Sequence, residues 1–335
     1  MNKVNSLNPL ISGCIYSAYG RKDPDILISA GKYQLDYLDK AETSAKQWAH
    51  YVSDYLQNKY WLSYFSAGTQ VLPPPLAEAA GFLKQAEQNK QPGDWVNYYL
   101  DFWEATLRLT WAQALGLARH QKISETLSDN WQNDHIIKKL KDLIPKLARQ
   151  DGIRCWNPYL GAQQNQGWQA LTCLDELRRL RNEKVHGKTR GQWSDTKAAL
   201  QQHALTLTDL AAFWADFPLI HFNEARQAER ISGNGYPFPQ ADLDWEIPQD
   251  HTSEHIYITW RDTCNPEDKL RLISLWPYLK LRWDNKLNRS VLCVVSHARR
   301  TRQGTIIWYE VNLQNGQQQT FQPSIKEARI LAGKS

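Results

Sequence analysis

The chain has 335 residues, of which 42% are apolar and 22% charged, a balance that suits one large or two modest globular domains. Its net charge of +5 permits contact with a polyanion without requiring it. The five cysteines, Cys14, Cys155, Cys173, Cys264 and Cys293, are scattered and lack a Cys-x-x-Cys pair. That argues against a disulfide framework or a structural zinc site and for a reducing, cytoplasmic setting, and no apolar run is long enough to cross a bilayer.

Residues 1–30 read as an irregular segment, with a turn signal at Asp23-Pro24. Cys14 ends a stretch that looks like a lipoprotein cleavage box, but no apolar stretch precedes it, so no signal peptide is expected. From Leu35 to Leu56 apolar residues recur at three- and four-residue steps, predicting a helix that the aromatic run 60–65 extends. Pro73, Pro74 and Pro75 break the chain. A short helix follows over 76–89, and then the most apolar helix, 95–118, whose many tryptophans and leucines on several faces predict deep burial. Glu104 and Arg108 on it are spaced for an i,i+4 ion pair. The alternative is that Glu104 faces a functional cleft and orients a side chain there. Residues 134–148 form an amphipathic helix whose outer face carries Lys138, Lys139, Lys141 and Lys146, a solvated face by default.

The chemistry-bearing stretch is 171–187. Leu171, Leu174, Leu177 and Leu180 make the apolar stripe of a packed helix over about 166–186, and Gly187 supplies a stop. Arg181, Asn182 and His186 follow the last leucine. Asn182 and His186, four apart, share a helix face, whereas Arg181 and His186, five apart, diverge by roughly 140° on an ideal helix. A bent helix end, or a second copy across a twofold axis, would bring them together. The basic loop after Gly187 carries Lys188 and Arg190, placed to meet a phosphate near His186, and Arg178 is a further candidate substrate-binding cation. A last helix follows, with His203 on its apolar stripe as a core residue with a satisfied ring nitrogen, the alternative being a second catalytic histidine.

Arg-Asn-x-x-x-His after Leu-x-x-Leu-Arg-Arg-Leu, with glycine next, resembles the signature of the HEPN superfamily (higher eukaryotes and prokaryotes nucleotide-binding domains). The resemblance covers residues 90–217. It implies an all-helical domain, commonly a dimer with two motif copies in one cleft. It also implies a metal-independent ribonuclease of the toxin–antitoxin, abortive-infection or CRISPR-linked kind, with RNA as substrate and an antitoxin or defence-complex protein as a further partner. Arg181, His186 and Asn182 would be its catalytic residues, with Glu104 as a possible orienting acid. No cofactor and no metal are implied. Some relatives are instead non-catalytic dimerisation or nucleic-acid-binding modules, and the motif alone leaves that reading open.

After Pro218 glycines and prolines punctuate the chain, and 218–251 reads as a linker. Alternating, β-branched and aromatic runs at 256–260, 291–295, 305–311 and 318–321 then predict strands, with Asn315-Gly316 a hairpin signal. Arg299, Arg300 and Arg302 form a basic turn between two of them, a solvated hairpin tip by default, with phosphate binding as the alternative. His251 and His255 have a spacing that suits a metal on a helix, but they lie at a linker-to-strand junction and are discounted. The expected fold class is therefore mainly α: a HEPN-like helical bundle over 31–217, a linker, a small antiparallel β-domain over 252–323 and a tail over 324–335.

Overall fold

The computed structural model describes residues 72–123, 133–148, 164–185, 193–203, 207, 214, 219–232, 251–260, 271–303 and 305–333. The expected irregular segment 1–30 and the helical pattern of 35–65 lie outside the described residues.

Helix α1 spans Pro74–Gln88 and α2 spans Pro92–His120. Each starts with proline in its first turn, where a missing N–H goes unused and the fixed φ already fits a helix. Each ends without glycine. Lys90 (φ 55) and Lys122 (φ 59) take the left-handed conformation. The Gln91 N–H then reaches the Ala86 carbonyl at 2.9 Å and the Ile123 N–H reaches Ala118 at 2.8 Å, satisfying carbonyls that the helix leaves open. Helix α2 is apolar nearly all round, and Trp95, Tyr99, Phe102, Trp103 and Trp111 are all buried along it. A helix of that kind needs neighbours on every side. It finds them in α1, α3 (Asn133–Ala148), α4 (Gln164–Val185) and α5 (Trp193–Gln201).

The strands are β1 (Leu219–Phe222), β2 (Ala228–Arg230), β3 (Tyr257–Trp260), β4 (Arg271–Ser274), β5 (Leu279–Asp284), β6 (Arg289–Arg300), β7 (Ile306–Asn312) and β8 (Gln318–Phe321). They form two antiparallel four-stranded sheets, one in the order β2-β1-β3-β4 and the other the meander β5-β6-β7-β8. Gly316 (φ 67) lies in the β7–β8 turn. A bridge between His255 and Lys280 joins the sheets along their seam. Helix α6 (Ile325–Leu331) then returns to the second sheet and buries Leu331.

The expected fold class, a mainly α helical bundle followed by a small β-domain, is corrected by this arrangement. Among the described residues there are six helices and two four-stranded sheets, and one apolar core runs without a break from Leu72 in the helices to Leu331. The physical reason lies in α2. Its C-terminal half turns a face toward β4 and β6, so the strands complete the helical core. At Gly116 the approach is close enough that a Cβ would lie 2.6 Å from Leu275 Cδ2 and 3.1 Å from the Ser274 carbonyl oxygen. Arg119 donates from Nη1 to the Trp276 carbonyl at 2.7 Å, and Arg289 of β6 pairs with Glu78 of α1. Strands β1 and β2 also occupy part of the stretch read as a linker.

Candidate functional site

Helix α4 is seated by its leucines. Leu174 and Leu177 are fully buried, Leu180 packs partly buried on the core, and the helix touches both α2 and α3. Cys173 is buried beside them. Burial, reinforced by Glu176, pushes its thiol up to about 12, so it is no nucleophile near neutral pH. Cys293, pushed up to about 12 by burial and then by Glu310, is equally inert.

The polar side of α4 is an ordered run of charge pairs. Asp175 accepts from Arg178 Nε at 2.8 Å and pairs with Lys141 of α3 at 3.5 Å. Burial alone would raise the Asp175 carboxyl, but these two cations outweigh it and hold the carboxyl below its usual range. Arg179 pairs with Glu183 at 3.0 Å, and His203 Nε2 lies 3.5 Å from Glu176. Arg181 differs. Its Nη1 donates to the neutral Asn182 Oδ1 at 3.3 Å, and among the described residues no carboxylate neutralises it. Both side chains are half-buried at the last turn of the helix.

Arg181 and Asn182 are thus brought into contact with each other. His186, Lys188 and Arg190 lie outside the described residues. Arg178 is bound to Asp175, so its charge is already partnered. Glu104 is engaged by Arg108 at 2.8 Å, the i,i+4 pair expected from the spacing. Arg108 is close enough to His297 of β6 to help lower its pKa, so the pair lies toward the second sheet, and among the described residues no bond joins Glu104 to Arg181.

No group of three metal-ligating side chains occurs among the described residues. His251 and His255 meet edge to face with ring centroids 5.7 Å apart. The His251 nitrogens lie 3.1 Å from the Tyr257 hydroxyl and 3.1 Å from the Phe222 carbonyl, which leaves neither directed at a shared ion.

The sequence reading missed a second polar cluster at the seam between the sheets. Lys280 is fully buried, pairs with Glu327 of α6 and lies 4.2 Å from the centre of the Phe321 ring. Burial lowers its pKa while Glu327 raises it, and burial wins. Arg282 beside it pairs with Glu254 and lies 3.3 Å from the buried Glu310. The legible signal was Ser324-x-x-Glu327, a capping box that marks α6 and thereby the partner of Lys280.

Comparison with family models, with curated proteins and with solved structures finds no match to this chain. No helix among the described residues is long and apolar enough to cross a membrane.

Proposed function

We propose that the chain is a metal-independent endoribonuclease whose reacting groups are Arg181, Asn182 and His186. The observation that carries this reading is the state of Arg181. Its neighbours Arg178 and Arg179 are each bound to a carboxylate, whereas Arg181 is steered by an amide, and no carboxylate among the described residues compensates its charge. An uncompensated, oriented guanidinium at a helix end suits a phosphate, whose oxygens it holds in pairs. The resemblance of the motif to HEPN ribonucleases supports the same assignment.

The chemistry follows from RNA itself, which carries its nucleophile beside the scissile bond. The 2′-oxygen attacks phosphorus as His186 takes its proton. The bond from phosphorus to the 5′-oxygen breaks, and that oxygen receives a proton from an imidazolium. The products are a 2′,3′-cyclic phosphate and a 5′-hydroxyl. Arg181 stabilises charge growing on the non-bridging oxygens, Asn182 positions the phosphate, and Lys188 and Arg190 hold the flanking backbone. Arg181 and His186 diverge on one ideal helix, so the complete site takes two copies of the α4 end across the twofold of a homodimer, with one His186 as base and the other as acid. An antitoxin or defence-complex protein that covers this end would control the enzyme, in the cytoplasm.

The test is cleavage of a mixed RNA pool, with and without EDTA, by the wild type and two variants. His186→Ala should lose roughly 10²–10⁴-fold. Arg181→Ala should lose roughly 10²–10³-fold, by analogy with removing one oxyanion donor. Equal cleavage by all three proteins would exclude the motif as the active site.

A further inference from the structure

The basic turn at 299–302 is unused by this reading, and the strands that carry it are built unusually. In the β6–β7 ladder Val294 faces Val311 and Val295 faces Glu310, but the next pair is His297 with Tyr309, so Ser296 is an extra residue in a β-bulge. In unbroken alternation Ser296 would stand on the Val294 face. The bulge puts His297 and then Arg299 there instead, beside Tyr309. On the near side of the bulge this face is sealed, with Leu292 and Val294 buried. Beyond it His297 and Tyr309 are half-exposed and Arg299 is exposed.

The re-aimed pair is held in place. The two rings stack with centroids 4.3 Å apart and planes within 10°. Ser296 Oγ lies 3.0 Å from His297 Nδ1 and 3.3 Å from the Tyr309 carbonyl, so the bulge residue fixes the imidazole against the neighbouring strand. Burial, with Arg108 and Arg299 nearby, lowers the His297 pKa, which favours the neutral, stacking form. Residues 296–309 contain no carboxylate, and among the described residues none pairs with Arg299, Arg300 or Arg302, all exposed. Arg108, which also acts on His297, shares its charge with Glu104.

A flat aromatic pair flanked by arginines that no described carboxylate neutralises matches what a nucleic-acid strand with unpaired bases presents: ring faces to stack on and phosphates at regular intervals. We infer that the outer end of the β6–β7 hairpin binds single-stranded nucleic acid, with a base stacking on the His297–Tyr309 pair and phosphates meeting Arg299 on that same face, Arg302 in the turn and, where the strand wraps the hairpin end, Arg300 on the other face. This face is separate from the α4 motif, and the inference holds whether or not that motif cleaves.

The test is fluorescence polarisation of the full chain with a short labelled strand made as 2′-O-methyl RNA, which cannot be cut through its 2′-oxygen. The same sequence as DNA, the RNA duplex and inorganic polyphosphate serve as further arms. Both single strands should bind, and the tighter one identifies the natural sugar. A triple Arg299→Gln, Arg300→Gln, Arg302→Gln variant should weaken binding tenfold or more and flatten the slope of log affinity against log salt by about 2, at ~0.7 per lost phosphate contact. Tyr309→Leu should weaken it by roughly tenfold and leave that slope unchanged. Thermal melting at the wild-type midpoint is the expected check that both variants are folded. Wild-type affinity in the triple variant overturns the proposal, as does duplex or polyphosphate bound as tightly as the single strands.

Discussion

Replacing Glu327 by glutamine isolates one interaction in the seam cluster. Lys280 is fully buried, and the Glu327 side chain that partners it is 12% exposed. Removing one member of such a pair leaves a charge without compensation, a loss of about 3–5 kcal/mol in general. Glutamine can still close the capping box with Ser324, so helix α6 keeps its start. The Phe321 ring and the nearby Glu310 continue to favour the ammonium, which places the expected loss near the low end, about 3 kcal/mol. Urea unfolding followed by tryptophan fluorescence should register it as a midpoint about 1 M lower, at a slope of ~3 kcal/mol per M. The pH dependence has a definite sign. Burial would raise the Glu327 carboxyl, but Lys280 and the Ser324 N–H outweigh it and hold the folded-state pKa below normal. The wild-type advantage is therefore full above the ordinary glutamate range and shrinks as pH falls through the lower folded-state value. Exchanging both partners for apolar residues, Lys280→Met with Glu327→Leu, should recover most of the loss. A Glu327→Gln midpoint equal to wild type at neutral pH would refute the buried-pair reasoning.

Gly116→Ala should destabilise by about 1–3 kcal/mol, because the new methyl overlaps Leu275, whereas alanine in an open helix position would gain ~1 kcal/mol; the sign of the shift in thermal midpoint decides. Trp103→Ala should cost about 3–5 kcal/mol in the same urea assay, since its side chain is fully buried in the continuous core. Asp175→Asn should cost under about 1 kcal/mol, because that carboxylate and its partners are substantially solvated; a loss matching that of Glu327→Gln would contradict the contrast between surface and buried pairs.

Much of the helical part was legible because periodicity carries it. The apolar residues of 95–118 mark α2, the stripe of 134–148 marks α3, and the Glu104–Arg108 pair follows from i,i+4 spacing alone. Helix ends were harder, since Lys90 and Lys122 adopt a conformation that usually announces itself through glycine. Strand β1 is four residues long and β2 three, too short for alternation to stand out among the turn residues around them. That the strands complete the core of α2 was hidden for another reason: α2 is apolar over most of its surface, so its sequence does not say what covers each part. At the candidate site, Arg181 and Asn182 were singled out by the resemblance of their motif to the HEPN signature, since spacing alone turns Arg181 away from His186. The separation of Arg178 and Arg179, which are partnered, from Arg181, which no described carboxylate neutralises, depends on carboxylates one turn away or closer and needed coordinates. The bulge at Ser296 could not be read at all, because it is a property of pairing with β7.

The functional proposal is most directly tested on the ends it leaves behind. An oligonucleotide with a single ribonucleotide in an otherwise DNA strand should be cut by the protein at that residue alone, in EDTA, giving a 2′,3′-cyclic phosphate and a 5′-hydroxyl. The all-DNA strand should stay intact, and Arg181→Ala should reduce cutting of the chimera about 10²-fold or more. Cleavage of the all-DNA strand, or products ending in a 5′-phosphate, would contradict attack by the 2′-oxygen and with it the role assigned to Arg181, Asn182 and His186.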